Sequence, residues 1–308
     1  MKIFVLHEDP DWLPQLARAL DARGAPWEEW VLTERAVDLS MPPPKGIFYN
    51  RMSASSHTCG HRFSPELTSV VLAWLDQHGR RVINGMPALG LEVSKVRQYA
   101  ALARAGIKTP RTVAVVGKHP LAEAARSAFP EGGFILKPNR GGKGLGVALV
   151  GSANELAARV TAPDFSEPLD GVYLLQEYIE ASEPVITRAE FIGGQFLYAV
   201  EVSTTGGFEL CPADVCAAPG GRPPFRVFEA IDSDLKRRLE HFLQIAGIDI
   251  AGIEFATGQD GAAMVYDVNT NTNYNAEAEA AAGLAVTGMG AIAGYLGREL
   301  QELRRQAA

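Results

Sequence analysis

Positive charge is in short supply in this chain. Its 308 residues carry 29 lysines and arginines against 36 aspartates and glutamates, a net charge of −7. That balance excludes a broad nucleic-acid surface or a polybasic membrane patch, although a polyanion can still be held locally where cations are gathered. Cysteine is scarcer still. Cys59, Cys211 and Cys216 cannot all pair with one another, and Cys211-x4-Cys216 lacks the neighbouring Cys or His that a zinc site needs. The N-terminus MKIFVLHEDPDW is charged too early for a secretory leader, so a reduced, cytoplasmic setting is expected. No apolar run approaches the ~20 residues of a membrane span. A Walker A loop, a nucleophile elbow and a convincing Cys–His pairing are also missing, which points away from side-chain nucleophilic catalysis. What is present, 47% hydrophobic and 21% charged residues, suits a soluble globular protein of two or three lobes with a substantial core.

The chain opens as β-α-β. KIFVL and WEEWVL read as strands around the helix LPQLARALDARG, which Gly24 stops, and GIFYN at 46–50 is a third strand. Asn50, Arg51 and His57 follow that strand's C-terminal end, where open α/β sheets bind ligands; a plain surface loop fits the same residues. Ser64 as N-cap and Pro65 at N1 begin a helix that ends at Gly79, and RRVIN at 80–84 is a further strand. Ser94 caps a helix running to Gly106. Lys95 lies in its first turn, where the macrodipole disfavours a cation unless it reaches an anion such as phosphate or is simply solvated.

Two stretches then carry chemistry. FILKPNRGGKGLGVALV, residues 134–150, places glycines and the basic residues Arg140 and Lys143 between two β-like runs. Glycine lets backbone N–H groups approach phosphate oxygens. The loop leads into strand rather than helix, so it is a hairpin flap, neither a Walker A nor a Rossmann turn; a merely flexible glycine hairpin has the same composition. The second stretch, GIEFATGQDGAAMVYDVNTNTNYN at 252–275, reads as strands 252–257 and 263–270. Asp260-Gly261 suits a two-residue type I′ turn between them. With that turn, Glu254 faces Asp267 across the ladder, roughly 5 Å apart at the side-chain roots, and Asn269 shares their face. Facing carboxylates repel, and a hard cation such as Mg²⁺ would remove the penalty; a solvated polar hairpin face is the alternative. Between the two stretches lie VYLLQEYI at 172–179, a hairpin turning on Gly193-Gly194 with Arg188 and Glu190 on one face, and a helix from Asp232 to Gly247. Ala-rich helices at 276–282 and 288–305 close the chain. The organisation is α/β, passing to α+β in the antiparallel C-terminal half.

Lys95, ILKP with Lys137, the glycine flap, QEYI with acids behind it, and a paired-acid hairpin ending in DVN stand in one order. That order resembles the ATP-grasp superfamily over residues 90–285, and the SKVRQYAALARAGIKTPRT and GGKGLGV segments look most like RimK-like, glutamate ligase-type members. The resemblance implies an ATP-grasp fold behind a Rossmann-like parallel-sheet domain, with boundaries expected at 1–90, 91–174 and 175–308. It implies an enzyme, an ATP-dependent carboxylate–amine ligase forming an amide through an acyl phosphate. A cyclo-ligase, a thiol ligase or a non-catalytic ATP-binding regulatory module are the alternatives.

Roles carry over by position. Lys95 and Lys137 match lysines that hold the ATP phosphates. Arg140, Gly141, Gly142, Lys143, Gly144 and Gly146 match the flap, with Lys143 and Arg188 near the transferred phosphoryl group. Gln176, Glu177, Tyr178 and Ile179 match the adenine-reading segment, and Glu183 a ribose-binding acid. Glu254, Asp267 and Asn269 match the ligands of two Mg²⁺ ions, with Mn²⁺ as an alternative. Three departures are visible: Asp267 where Glu is usual, Glu201 where Arg is common, and TNTNYN in place of a Pro-containing turn. Asn271, Asn273, Tyr274 and Asn275 are thus candidates for shaping the substrate site, with Arg51; a polar loop capping the next helix is the other reading. The partners implied are small-molecule or peptide carboxylates and amines, with no nucleic acid and no membrane. Homo-oligomers are common among similar enzymes.

Overall fold

The computed structural model describes residues 1–142, 144–204 and 225–308. Lys143, Cys211, Cys216 and the extended piece expected around 208–216 lie outside the described residues. Strand β1 (Lys2–His7), helix α1 (Pro14–Asp21), β2 (Trp27–Val31), β3 (Gly46–Asn50), α2 (Ser64–Gln77) and β4 (Arg81–Ile83) build a four-stranded parallel sheet in the order β2-β1-β3-β4. The period of two along β1 explains its two covered faces. Phe4 and Leu6 pack with Trp30, Phe48 and the Val71, Leu72 and Leu75 stripe of α2. Ile3 and Val5 turn the other way, onto Leu16 and Leu20 of α1.

Helices α3 (Met86–Glu92) and α4 (Lys95–Arg104) lead into a second sheet. It comprises β5 (Thr112–Val116), β6 (Phe134–Pro138), β7 (Ala148–Val150) and β8 (Val172–Glu177) in the order β5-β8-β6-β7, with α5 (Leu121–Ala128) and α6 (Ala153–Thr161) packed on it. The domain boundary expected at residue 174 therefore falls inside β8, whose pairing with β5 and β6 ties it to the preceding lobe.

The third sheet is antiparallel: β9 (Val185–Ile192), β10 (Gln195–Ser203), β11 (Phe225–Phe228), β12 (Ile250–Thr257) and β13 (Ala263–Asn269), ordered β11-β10-β9-β12-β13. Helix α7 (Ser233–Ala246) covers it with Leu239, Phe242 and Leu243. After α8 (Ala276–Ala281), α9 (Gly288–Gln306) returns to the first sheet, burying Ile292, Leu296 and Leu300 against Ile3, Val5 and Ile47. Among the described residues no helix is long and apolar enough to cross a membrane.

Three elements lie beyond the sequence expectation: α3, β5 and β11. Ser64 is not the N-cap of α2. It is the first helical residue, Phe63 caps without a side-chain bond, and the Ser64 hydroxyl is buried without a partner. Asn84, by contrast, joins two lobes. It adopts φ 55°, a left-handed conformation in which Asn is enriched and Ala is strained. Its amide donates to the carbonyls of Ile250 and Thr270 at 2.8 Å, and its Oδ1 accepts the N–H groups of Asp249 and Ile250 at 3.0 Å. Asn84→Ala would strand these buried groups, each costing ~1–3 kcal/mol. Urea unfolding should show a loss of about 3 kcal/mol or more; a loss below about 1 kcal/mol would contradict this bracing role.

Candidate active site

The hairpin β12–β13 places Glu254 opposite Asp267 and Gly252 opposite Asn269. The turn is not the expected two-residue one. Gly258 N–H donates to the Ala262 carbonyl at 3.0 Å, Gly261 N–H to the Gly258 carbonyl at 2.9 Å, and Gly261 has φ +76°. This is a three-residue loop with glycine in the left-handed position. Pairing near the turn is therefore one residue out of step, with Phe255 opposite Val265. Tyr266 is the extra residue of a bulge that restores the step before the two acids meet.

Neither acid is left bare. The Lys95 ammonium donates to Asp267 Oδ1 at 2.6 Å. Glu254 Oε1 accepts from Arg188 Nη1 at 3.2 Å and from the Asn269 amide at 3.3 Å. Arg188 is itself fully enclosed. Its Nε donates to Glu190 Oε1 at 2.7 Å and its Nη2 to Thr272 Oγ1 at 2.8 Å, and the Thr272 hydroxyl donates to Glu190 Oε2 at 2.8 Å. Glycine at 252 makes room for this guanidinium, since a Cβ there would lie 2.5 Å from Arg188 Nε. Burial pushes the Glu254 carboxyl up against the opposing pull of Arg188. Burial also works against ionisation of Asp267, yet the Lys95 and Lys137 ammonium groups hold it below its usual value. Lys137 sits over the rings of Tyr99 and Tyr266, 5.4 and 5.7 Å from their centroids. Desolvation, reinforced by Lys95, brings its pKa down to about 7.

These groups open into one cavity of about 550 Å³. Lys95, Lys137, Arg188, Glu254, Asp267 and Asn269 all line it, as do flap residues Gly141, Gly142 and Gly144. Gln176, Glu177, Tyr178, Ile179 and Glu183 form a further wall. The Gln176 amide donates to Tyr99 OH and Thr112 Oγ1 at 2.9 and 2.8 Å, and Glu177 Oε2 accepts the Arg111 N–H at 3.0 Å. Beyond the end of β13 the lining residues alternate: Asn269, Asn271 and Asn273 line the cavity, whereas Thr270 and Thr272 are buried.

Several expected site residues lie elsewhere. Arg140 does not line the cavity. Its guanidinium donates to Glu66 on α2 at 2.9 and 3.4 Å, pinning the flap to the first lobe, and Gly142 lies against Ser55 there. Gly146 is likewise outside the lining, in a left-handed turn beside Pro138. Arg51, buried, donates to the carbonyls of Trp12 and Thr272 and to Asn273 Oδ1 at 2.9, 3.3 and 2.7 Å, so it is a cross-link beneath the cavity. Tyr274 belongs to the core with Met289 and Ile292. Asn275 caps α8 by accepting the Ala278 N–H at 2.9 Å. Asn50 donates to the Asn84 carbonyl, and His57 is half-buried outside the cavity. Conversely Trp12, Ser53, Ser55 and Glu92 line it unannounced. Only their position after strand ends of a parallel sheet pointed toward them, and Glu92 had no such signal.

No protein-family model and no curated protein matches the sequence. Solved structures do match the fold. A RimK-domain ATP-grasp protein from Sphaerobacter thermophilus DSM 20745 superposes with a TM-score of 0.68 at 18% identity, covering 96% of this chain and 99% of that one. The D-cycloserine synthetase DcsG gives 0.67 at 20% identity, covering 97% and 99%. The ATP-grasp ligase PsnB, complexed with a phosphomimetic variant of its minimal precursor, Mg and ADP, gives 0.65 at 18% identity, covering 96% and 97%.

The lowered pKa of Lys137 has a signed consequence. Between about 7 and the ordinary value of 10.5, the unfolded chain holds a proton at this lysine that the folded chain lacks. Stability contributed by this group therefore rises with pH through that window and falls as pH drops toward 7. The difference in unfolding free energy between wild type and Lys137→Met should slope by up to ~1.4 kcal/mol per pH unit across it. A flat difference would contradict the assigned environment.

Proposed function

We propose that this chain, which has the ATP-grasp fold, is an ATP-dependent carboxylate–amine ligase working through an acyl phosphate. The observation that carries this reading is the convergence, in one cavity, of two facing carboxylates with Lys95, Lys137 and Arg188. Lys95 and Arg188 answer the two acids, while no carboxylate among the described residues lies within ion-pair distance of Lys137. Lys137 is thus an amine without a carboxylate partner, able to take up a proton as an anion binds, and a polyphosphate under a glycine flap fits it.

The donor set fits a hard ion as well. Glu254, Asp267 and Asn269 offer carboxylate and amide oxygens, as Mg²⁺ prefers, and PsnB is described with Mg and ADP. Bound there, Mg²⁺ (two ions expected, Mn²⁺ an alternative) would supply charge neutralisation at the β- and γ-phosphates.

In the first step a substrate carboxylate oxygen attacks the γ-phosphorus and ADP leaves, giving an acyl phosphate. In the second an amine nitrogen attacks the acyl carbon, inorganic phosphate leaves, and the nitrogen gives up a proton as the amide forms. Lys95 and Lys137 steady the phosphate oxygens. Arg188, fixed by Glu190 and Thr272, faces the charge that develops on the transferred group, so positioning and electrostatics carry the catalysis. Gly141, Gly142 and Gly144 line the cavity and would offer backbone N–H groups to the phosphate oxygens. Lys143, outside the described residues, is assigned to the same phosphoryl group by resemblance alone. The 176–179 segment takes the adenine and Glu183 the ribose, leaving Asn271 and Asn273 for the acid or amine. That PsnB was solved with a precursor peptide makes peptides reasonable members of a substrate panel beside small acids.

ADP release measured across that panel tests this reading. ADP and phosphate should appear with Mg²⁺ only when an acid and an amine are both supplied. Glu254→Ala with Asp267→Ala should lower the rate at least a thousandfold while far-UV circular dichroism stays native. ADP formed equally well without any acid would refute the reading.

A further inference from the structure

Arg51 is a buried cation that the two-step chemistry does not use. It is 2% exposed and meets three acceptors, the carbonyls of Trp12 and Thr272 and the Oδ1 of Asn273. All three are neutral. Its Nε is buried without a hydrogen-bond partner. Glu190 and Glu254 are taken by Arg188, and no carboxylate among the described residues lies within ion-pair distance of Arg51. Buried charges are ordinarily paired, because desolvation is costly otherwise. A buried carboxyl or lysine can escape that cost by becoming neutral, whereas a guanidinium keeps its proton.

One of its acceptors opens into the cavity, since Asn273 lines it. Arginine only donates, so the 2.7 Å bond from Arg51 Nη2 fixes Asn273 Oδ1 toward the guanidinium and turns Nδ2 away from it. That nitrogen is not among the enclosed polar atoms, and it meets no acceptor among the described residues. It therefore offers open N–H donors on an amide that a cation polarises from behind. The position also adjoins the proposed reacting end. Thr272, the preceding residue, accepts Arg188 Nη2 at 2.8 Å through its hydroxyl and Arg51 Nη2 at 3.3 Å through its carbonyl.

We propose that Asn273, backed by Arg51, receives a carboxylate of the acid substrate, which supplies the counter-charge that the folded chain lacks at Arg51. The proposal rests on the ligase reading and assigns the acid to this wall. The carboxylate accepts the Asn273 N–H groups directly. Arg51 acts through that amide and through space, where a largely desolvated setting screens it weakly. An uncharged amide in place of the carboxylate accepts the same hydrogen bonds but leaves Arg51 uncompensated, so the subsite selects charge as well as shape.

Calorimetry on the full-length protein with Mg²⁺ and the imido analogue AMPPNP tests the subsite, the analogue occupying the phosphate end of the cavity. Succinate should bind at least tenfold more tightly than succinamide; this comparison needs no variant. Asn273→Asp keeps an oxygen acceptor for Arg51 and replaces the N–H donors with an anionic oxygen. It should weaken succinate at least tenfold, while urea unfolding shows no loss of stability because Arg51 gains an internal counter-charge. Succinamide binding as tightly as succinate, succinate failing to bind, succinate affinity unchanged in Asn273→Asp, or a less stable Asn273→Asp protein would each overturn the proposal. Failure of the ligase reading appears separately in wild-type protein. Hydroxylamine, small and uncharged near neutral pH, should trap an acyl phosphate as a hydroxamate from a panel of acids and ATP, and no hydroxamate with any acid would remove the underlying reading.

Discussion

Two carboxylates facing each other across an antiparallel pair are an electrostatic liability, and much of this molecule is arranged around it. Glu254 and Asp267 meet on adjacent strands in a largely desolvated cavity, where their repulsion is weakly screened. The fold answers with Lys95 from the first turn of α4 and Arg188 from the neighbouring strand β9. Arg188 needs its own support, and Glu190, Thr272 and the missing side chain at Gly252 supply it. Removing Lys95 or Arg188 leaves a buried carboxylate without its ion-pair partner, the costly case for ionic clusters. The arrangement is therefore rigid, which suits the proposed role of holding a polyphosphate without reorganising during reaction.

The first lobe contributes more than shelter. Asn84 grips the backbone at both β12 and Thr270, Glu92 joins Ala54 to Thr270, and Arg51 reaches Thr272 and Asn273. All three fasten the segment that follows Asn269, so the residues beyond the acids are positioned by another lobe. The flap is fastened as well, through Arg140 and Glu66. A basic residue in a glycine loop can thus serve closure instead of ligand contact. Charge on that loop says a cation is there, and only the fold says which anion it meets.

The sequence made the local periods legible. The alternation along β1, the caps at Ser94 and Asp232 and the hairpin at Gly193-Gly194 are all present in the structure. The facing of Glu254 and Asp267 was also expected, though the route to it differs. The turn is one residue longer than assumed and the Tyr266 bulge returns the offset, and no local rule reports a bulge in advance. Arg51, Tyr274 and Asn275 had the polarity of site residues, but burial and capping are decided by packing partners far along the chain. Glu92 illustrates the reverse case. Nothing in ALGLEVSK distinguishes its glutamate from a surface one; its significance comes from the neutral donors that trap it.

In the proposed reaction a carboxylate oxygen becomes bonded to phosphorus. That event leaves an isotopic record, since an acyl phosphate resolved by an amine leaves the bridging oxygen with the phosphate. An acid substrate labelled with ¹⁸O in its carboxylate, turned over with ATP and an amine, should yield inorganic phosphate carrying one ¹⁸O per amide formed, read by the isotope shift in ³¹P NMR. Phosphate free of label alongside labelled amide would contradict the account.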